Sequence, residues 1–251
     1  MRPRDRQQQI IDLVQLKGQL GVDQLADRFA VSVETIRRDL TLLAADGKIR
    51  KVHGGATPLR EFGEGAFAQR MQSNAAAKRL IAHKARQLVS PGDTVFIDTG
   101  STTLAMAETL ATVDDLTIIT NSTAIARTVS SANSSARVFL LGGAYNEDNR
   151  QTCGAIAIAQ LGGFHANLAL LTVAAIASEA GVMDYSFDEA SIGSAMIAHS
   201  DRVAILADAS KFDRVAPFVV ASFAQIDTLV CDTAPAEQLA QRLDQAGVTV
   251  I

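Results

Sequence analysis

Residues 22 to 56 read VDQLADRFAVSVETIRRDLTLLAADGKIRKVHGGA, and this stretch decides what kind of chain it is. Val22, Leu25, Ala26 and Phe29 recur at helical spacing and give one apolar face. Ser32 stands just before the next periodic run, where its hydroxyl can cap the free N–H groups of a second helix. That helix buries Ile36, Leu40 and Leu43. At 100° per residue this seam leaves Glu34, Arg38 and Thr41 on the far side, with Thr35 and Arg37 on the flanks. Gly47 is expected to stop the helix. Lys48, Arg50 and Lys51 follow on an extended segment that His53-Gly54-Gly55 turns back. The pattern is a helix-turn-helix with a basic wing, whose second helix fits a DNA major groove.

The run Val33-Glu34-Thr35-Ile36-Arg37-Arg38-Asp39-Leu40, with Leu43, Gly47 and His53-Gly54-Gly55-Ala56, resembles the DNA-binding signature of the DeoR family of bacterial transcription regulators. The reading places Ser32 at the cap, Glu34, Thr35, Arg38 and Thr41 near base edges, and Arg37, Lys48, Arg50, Lys51 and His53 near phosphates. A winged helix can also serve as a protein-interaction module, and adjacent helix arginines are commonly a solvated face. The distribution of charge favours DNA. Residues 1–57 hold 10 Lys and Arg against 7 Asp and Glu, and the remaining residues hold 13 against 20, so a mildly basic head precedes an acidic body.

Upstream, a helix is expected from about Arg4 to Lys17, with Gly18 and Gly21 bracketing its connection to the next. Arg2, Arg4 and Arg6 are candidates for further phosphate contacts or a solvated terminus. Downstream, the expected order is a head at 1–57, a linker at 58–74 and an α/β domain at 75–251. One long helix is expected from Gln69 to Val89, with Ala76, Leu80, Ile81, Ala85 and Leu88 inward. Short apolar strands then alternate with helices. They are Thr94–Asp98, Leu116–Thr120, Arg137–Leu141, Leu168–Thr172, Val203–Ala207, Thr228–Cys231 and Val248–Ile251. This rhythm implies a mainly parallel sheet covered on both faces.

Ligands of such sheets bind beyond the carboxyl ends of the strands. Polar residues gather there: Asp98 with Gly100, Ser101, Thr102 and Thr103, then Asn121, then Gly142 and Gly143, then Asp208 with Lys211. A glycine, three hydroxyls and a helix start suit an anion, and a lysine can balance its charge. The segment from Lys78 to Pro235 is similar to the DeoR-type sensor domain, whose sheet is related to ribose-5-phosphate isomerase and coenzyme A transferase folds. That resemblance implies a phosphorylated sugar or polyol as effector, with Gly100 to Thr103 holding its phosphate. It makes Asp184, Asp188 and Glu189 candidates for its hydroxyls, beside the plain reading of acids at a helix start. Two departures stand out: Thr172-Val-Ala-Ala-Ile176 where a glycine-containing stretch is common, and Ile192-Gly193-Ser194 where a basic residue is common.

Three roles are weighed. A regulator of carbohydrate or polyol catabolism would bind double-stranded operator DNA as a dimer or tetramer, act as a repressor and be released by its effector. A sugar-phosphate isomerase or transferase could use Asp98, Glu189 and Lys211 in acid–base chemistry, but fold likeness is weak evidence for chemistry. An adaptor would use the winged helix as a protein interface. The regulator accounts for the head, and no residue is assigned a catalytic role. Cys153 and Cys231 lack histidine partners at ligand spacing, so no metal or cofactor is expected and a reducing cytoplasm is. No apolar run is long enough to span a bilayer.

Overall fold

The computed structural model describes residues 2–17, 20–46, 48–52, 54–58, 67–133 and 135–251. The chain divides into two compact units, 1–62 and 63–251. Gly18, Gly47, His53 and residues 59–66 of the expected linker lie outside the described residues.

In the first unit α1 (Pro3–Lys17) is followed by β1 (Leu20–Gly21), α2 (Val22–Phe29), α3 (Val33–Ala45), β2 (Ile49–Val52) and β3 (Gly55–Pro58). Ile10, Val14, Leu25, Ile36, Leu40 and Ile49 are sealed in one core. Ala30 ends α2 in the left-handed region at φ 50°, and Ser32 starts α3 by accepting from the Thr35 N–H at 3.2 Å. Three residues therefore make the turn between the two helices, as the apolar spacing required. The wing is antiparallel, with Ile49 opposite Pro58. Pro58, expected to open the linker, thus closes the wing. β1 adds Leu20 opposite Ala56, a strand of two residues that periodicity cannot reveal. Gly55 is needed there: a Cβ would lie 2.1 Å from the Leu20 carbonyl oxygen.

The second unit begins with α4 (Phe67–Gln72) and α5 (Ala75–Arg86), not with one long helix. Asn74 breaks the run in the left-handed conformation at φ 53°. The Lys78 ammonium donates to the carbonyls of Arg70 and Ser73, which a continuing helix would have used. The inward seam is Lys78, Ile81, Ala82 and Ala85, whereas Ala76 and Leu80 face solvent. A lysine in the first inward position masked that seam. Residues 67–72, placed in the linker by sequence, pack on this unit through buried Phe67.

The remaining elements, in order, are β4 (Thr94–Ile97), α6 (Ser101–Glu108), β5 (Thr117–Thr120), α7 (Thr123–Ala132), β6 (Arg137–Leu140), β7 (Ala144–Asn146), β8 (Gln151–Cys153), α8 (Ala155–Leu161), β9 (Leu168–Thr172), β10 (Ala175–Ala177), β11 (Gly181–Asp184), α9 (Phe187–Ala198), β12 (Val203–Leu206), β13 (Phe218–Ala221), β14 (Thr228–Val230), α10 (Glu237–Gln245) and β15 (Thr249–Val250). Seven strands form one parallel sheet in the order β15-β14-β12-β9-β4-β5-β6. Alternate residues face opposite layers. Phe96, Ala169, Leu171 and Ile205 pack under α8, α9 and α10. Val95, Ile97, Leu170 and Leu206 pack under α5, α6 and α7. All seven expected strands are present. The β7-β8 hairpin and the antiparallel sheet β10-β11-β13 were not expected.

Candidate functional site

On the head, Glu34, Arg37, Arg38 and Thr41 are exposed along α3, Thr35 is half-buried, and Lys48, Arg50 and Lys51 are exposed on the wing. Several of these groups already engage one another. Arg37 Nη1 lies 3.6 Å from Glu34 Oε2, and Lys48 Nζ lies 3.7 Å from Asp46 Oδ2. The Thr41 hydroxyl donates to the Arg37 carbonyl at 2.7 Å and accepts from Lys51 Nζ at 2.9 Å. Thr41 thus ties wing to helix, and its hydroxyl is already committed. Arg38 forms no ion pair among the described residues. Arg6 corrects the reading of a phosphate contact: it is buried, with Nε 2.7 Å from Asp39 Oδ2.

In the second unit, Ser101 and Lys211 line one cavity of about 160 Å³. β4 and β12 bring them together from either side of β9, so 110 positions of sequence separation collapse into one site. Ser101 and Thr102 open α6, whose first N–H groups have no intrahelical acceptors. Arg70, Lys78, Lys211 and Arg214 also line the cavity, against the single carboxylate of Asp208. Such a wall attracts an anion, and the volume suits a small one. Burial, with the Arg214 charge adding to it, brings Lys211 down to about 8. Burial also lowers Lys78, although the Asp208 charge opposes it and that of Arg70 adds to it.

A second cavity of about 10 Å³, room for one water, shares Arg70, Thr172 and Val173 with the first. Three carboxylates line it, Asp98, Asp184 and Glu189, together with Arg70. Asp98 Oδ2 accepts from the Thr172 N–H at 2.9 Å, while its buried Oδ1 has no hydrogen-bond partner among the described residues. Burial pushes the Asp98 carboxyl well above its usual range, against the Thr172 N–H and with the charges of Glu189 and Asp184. Asp184 is raised to about 6, chiefly by burial and then by Glu189. The Glu189 carboxylate accepts from Asn149 at 2.6 Å and Gln151 at 2.7 Å. A cationic cavity thus adjoins a far smaller one that carries three carboxylates.

Ser101, Thr102, Asp208 and Lys211 of the expected residues line the larger cavity, and Asp98, Asp184 and Glu189 line the smaller. Gly100 lines neither cavity but matters sterically: a Cβ there would lie 2.2 Å from Thr172 Oγ1. Thr103, expected to help hold phosphate, points inward and donates to the carbonyls of Asp98 and Gly100. Asn121 bonds Thr99, Gln151 and the Thr152 carbonyl, fastening β5 to the β7-β8 hairpin. Gly142 donates its N–H to Gln160 at 3.0 Å. Gly143 has φ 143°, and a Cβ there would meet the Cys153 carbonyl at 2.5 Å. Asp188 is exposed in the first turn of α9. None of Asn121, Gly142, Gly143 and Asp188 lines either cavity.

Sequence reasoning missed Arg70, Asn74, Lys78 and Arg214. Arg70, Asn74 and Lys78 lay in what read as a linker and an uninterrupted helix. Arg214, three residues beyond Lys211, drew no reading from the sequence.

A winged helix-turn-helix followed by a parallel-sheet unit with a cation-lined cavity is the architecture of a two-unit regulator. Residues 6–61 match the DeoR-like helix-turn-helix domain, and residues 73–233 the DeoR C terminal sensor domain. The chain is similar to the HTH-type transcriptional repressor CsqR of Escherichia coli (strain K12), 30% identical over 246 residues, which cover 98% of this chain and 94% of that protein. It is 29% identical over 243 residues to the Glycerol-3-phosphate regulon repressor of the same organism, covering 97% and 96%. Ribose 5-phosphate isomerase a of Methanocaldococcus jannaschii aligns with 56% of this chain and 55% of its own at 14% identity, with a TM-score of 0.41. The chain belongs to the DeoR family of DNA-binding transcriptional regulators, whose members are regulators and not enzymes.

Proposed function

We propose that this regulator represses a carbohydrate or polyol catabolic operon and that a phosphorylated sugar or polyol relieves the repression. The single observation that carries the reading is the meeting of Ser101 and Lys211 in one cavity, with Arg70, Lys78 and Arg214 against one carboxylate. The phosphate would sit at the start of α6, with Ser101, Thr102 and Lys211 around it. Its hydroxyl-bearing end would turn toward Asp98, Asp184 and Glu189. A relative that acts as a glycerol-3-phosphate regulon repressor supports an effector of this class.

The unit of residues 1–62 would read double-stranded operator DNA, and the unit of 63–251, which holds Arg70 and the cavity, would sense. Arg38 would read base edges, with Arg37, Lys48, Arg50 and Lys51 on phosphates. The protein would work in the cytoplasm as a homo-oligomer, because two heads on one palindromic site bind far more tightly than one. No helix among the described residues is long and apolar enough to cross a membrane.

The test measures release of the full-length protein from DNA upstream of its own gene, by fluorescence anisotropy. Glycerol 3-phosphate, ribose 5-phosphate and fructose 6-phosphate are compared with glycerol, ribose and fructose. Release by at least one phosphorylated compound, and by none of its unphosphorylated counterparts, is expected. Equal release by both sets, or by neither, would refute the phosphate reading.

A further inference from the structure

We propose that α4 reports the cavity's occupancy to the rest of the chain and that Arg70 is its sensing side chain. The inference rests on the phosphate reading above. Every covalent path from the sensor unit to the head passes through residues 67–72. Six residues are too few to hold a helix by themselves, so α4 persists through its contacts. Phe67 anchors its start in the core. Polar contacts around its other end include several to groups that line the cavity or bond directly to them. Arg70 Nη2 donates to Asn149 Oδ1 at 2.7 Å. Lys78 holds the carbonyls of Arg70 and Ser73, and Asn74 donates to Asp208 at 3.2 Å.

A dianion entering this space competes for these same groups. It attracts Arg70 and Lys78, and it faces the Asp208 carboxylate that holds Asn74. Arg70 lies on the wall common to both cavities, so it meets a ligand wherever the ligand sits. Its partner Asn149 bonds Glu189 in turn, so moving Arg70 also disturbs the smaller cavity. An anion that binds the released arrangement of Arg70 more tightly than the bonded one therefore shifts α4 between them.

The test uses the full-length protein with millimolar inorganic phosphate or glycerol 3-phosphate. Binding is read from the melting midpoint, and α4 from hydrogen exchange of peptides covering residues 67–74. Anion binding is expected to change exchange there by about tenfold, with β12 and β14 unchanged. Asn149→Ala, which alters no residue lining either cavity, is expected to speed exchange at 67–72 about tenfold without anion. The same variant should still gain melting temperature from the anion. If anions raise the midpoint and exchange at 67–74 stays constant, the α4 inference is overturned and the phosphate cavity stands. If neither anion raises the midpoint, the phosphate reading falls and takes this inference with it. Wild-type exchange at 67–72 in Asn149→Ala also overturns it, since the Arg70–Asn149 bond would then not hold α4.

Discussion

Arg6 and Asp39 form an ion pair of 2.7 Å inside the reading head, with both side chains almost closed to solvent. Gln7 Nε2 donates to the other carboxylate oxygen at 2.9 Å, so α1 clamps the middle of α3 from its inner side. Removing one member leaves a buried charge without its counterion. Arg6→Ala is expected to destabilise the head by about 3–5 kcal/mol. Urea unfolding of the head checks this. Unchanged stability with lost DNA affinity would return Arg6 to the role of phosphate contact.

Arg38→Ala is expected to weaken operator binding by about 1–3 kcal/mol and to relax base preference. Lys51→Ala is expected to weaken all DNA alike and to flatten the salt dependence. Because Lys51 bonds Thr41, Thr41→Ala should resemble Lys51→Ala more than Arg38→Ala. Anisotropy titrations at several salt concentrations separate them. A Thr41→Ala protein that changes base preference without changing the salt slope would overturn its assignment as a wing tether.

Anion affinity should pass through a maximum with pH. Lys211, with its pKa lowered to about 8, loses its charge as pH rises through that value, so affinity falls on the alkaline side. A phosphate monoester gains a proton below a pH of about 6 and binds less strongly there as well. Lys211→Met should lower affinity by roughly tenfold or more near neutrality, in line with a lost charge-assisted contact. The same substitution should flatten the alkaline limb. Calorimetric titration with glycerol 3-phosphate between pH 5.5 and 9.5 tests this, and an unaltered alkaline limb in Lys211→Met counts against it.

Gly100 needs its missing Cβ for space and not for backbone freedom, since its φ of −172° is ordinary extended chain. Gly100→Ala drives a methyl into Thr172 and is expected to destabilise the sensor unit by about 1–3 kcal/mol. Thr172→Gly in the same chain should recover much of this, though the Thr103 hydroxyl at 2.9 Å still obstructs. Additive losses in a double-mutant cycle would show that the two positions do not compete for space.

Asp184 keeps its proton up to about pH 6 when folded, against an ordinary value of 3.8. Between those pH values the folded chain binds more protons, so the stability this group contributes falls as pH rises and stays low above 6. Asp184→Asn removes that loss and can still accept from the Ser186 N–H at its remaining carbonyl oxygen. It should stabilise the sensor unit by on the order of 1–3 kcal/mol at pH 7.5 and by little at pH 4. Melting curves at both pH values decide. A gain of equal size at both would show that ionisation is not the cause.

The helix pair of the head could be read from its period, Val22, Leu25, Ala26 and Phe29, and the parallel strands from short apolar runs between helices. Ser101 and Lys211 were found from their places at strand ends. What sequence hid has physical reasons. Lys78 is a cation on an inward face, and Arg6 and Asp39 bury charge that a hydrophobicity pattern assigns to water. Asn74 interrupts a helix through one left-handed residue, with neither proline nor glycine to announce it. Asn121 and Gly142 have the right address but spend polar groups on the Thr152 carbonyl and on Gln160, and Gly143 is held by its close approach to the Cys153 carbonyl.

β4 supplies the anion loop and β12 the lysine, and β9 runs between them with Thr172 at its end. Thr172 borders both cavities with Arg70 and Val173 and stands beside Gly100, so its side chain would help to set how far a guest penetrates. Trimming it would lengthen the chamber and leave the charged wall in place. Size preference and charge preference are then separable traits, and a lineage could exchange a short effector for a longer one through a single codon.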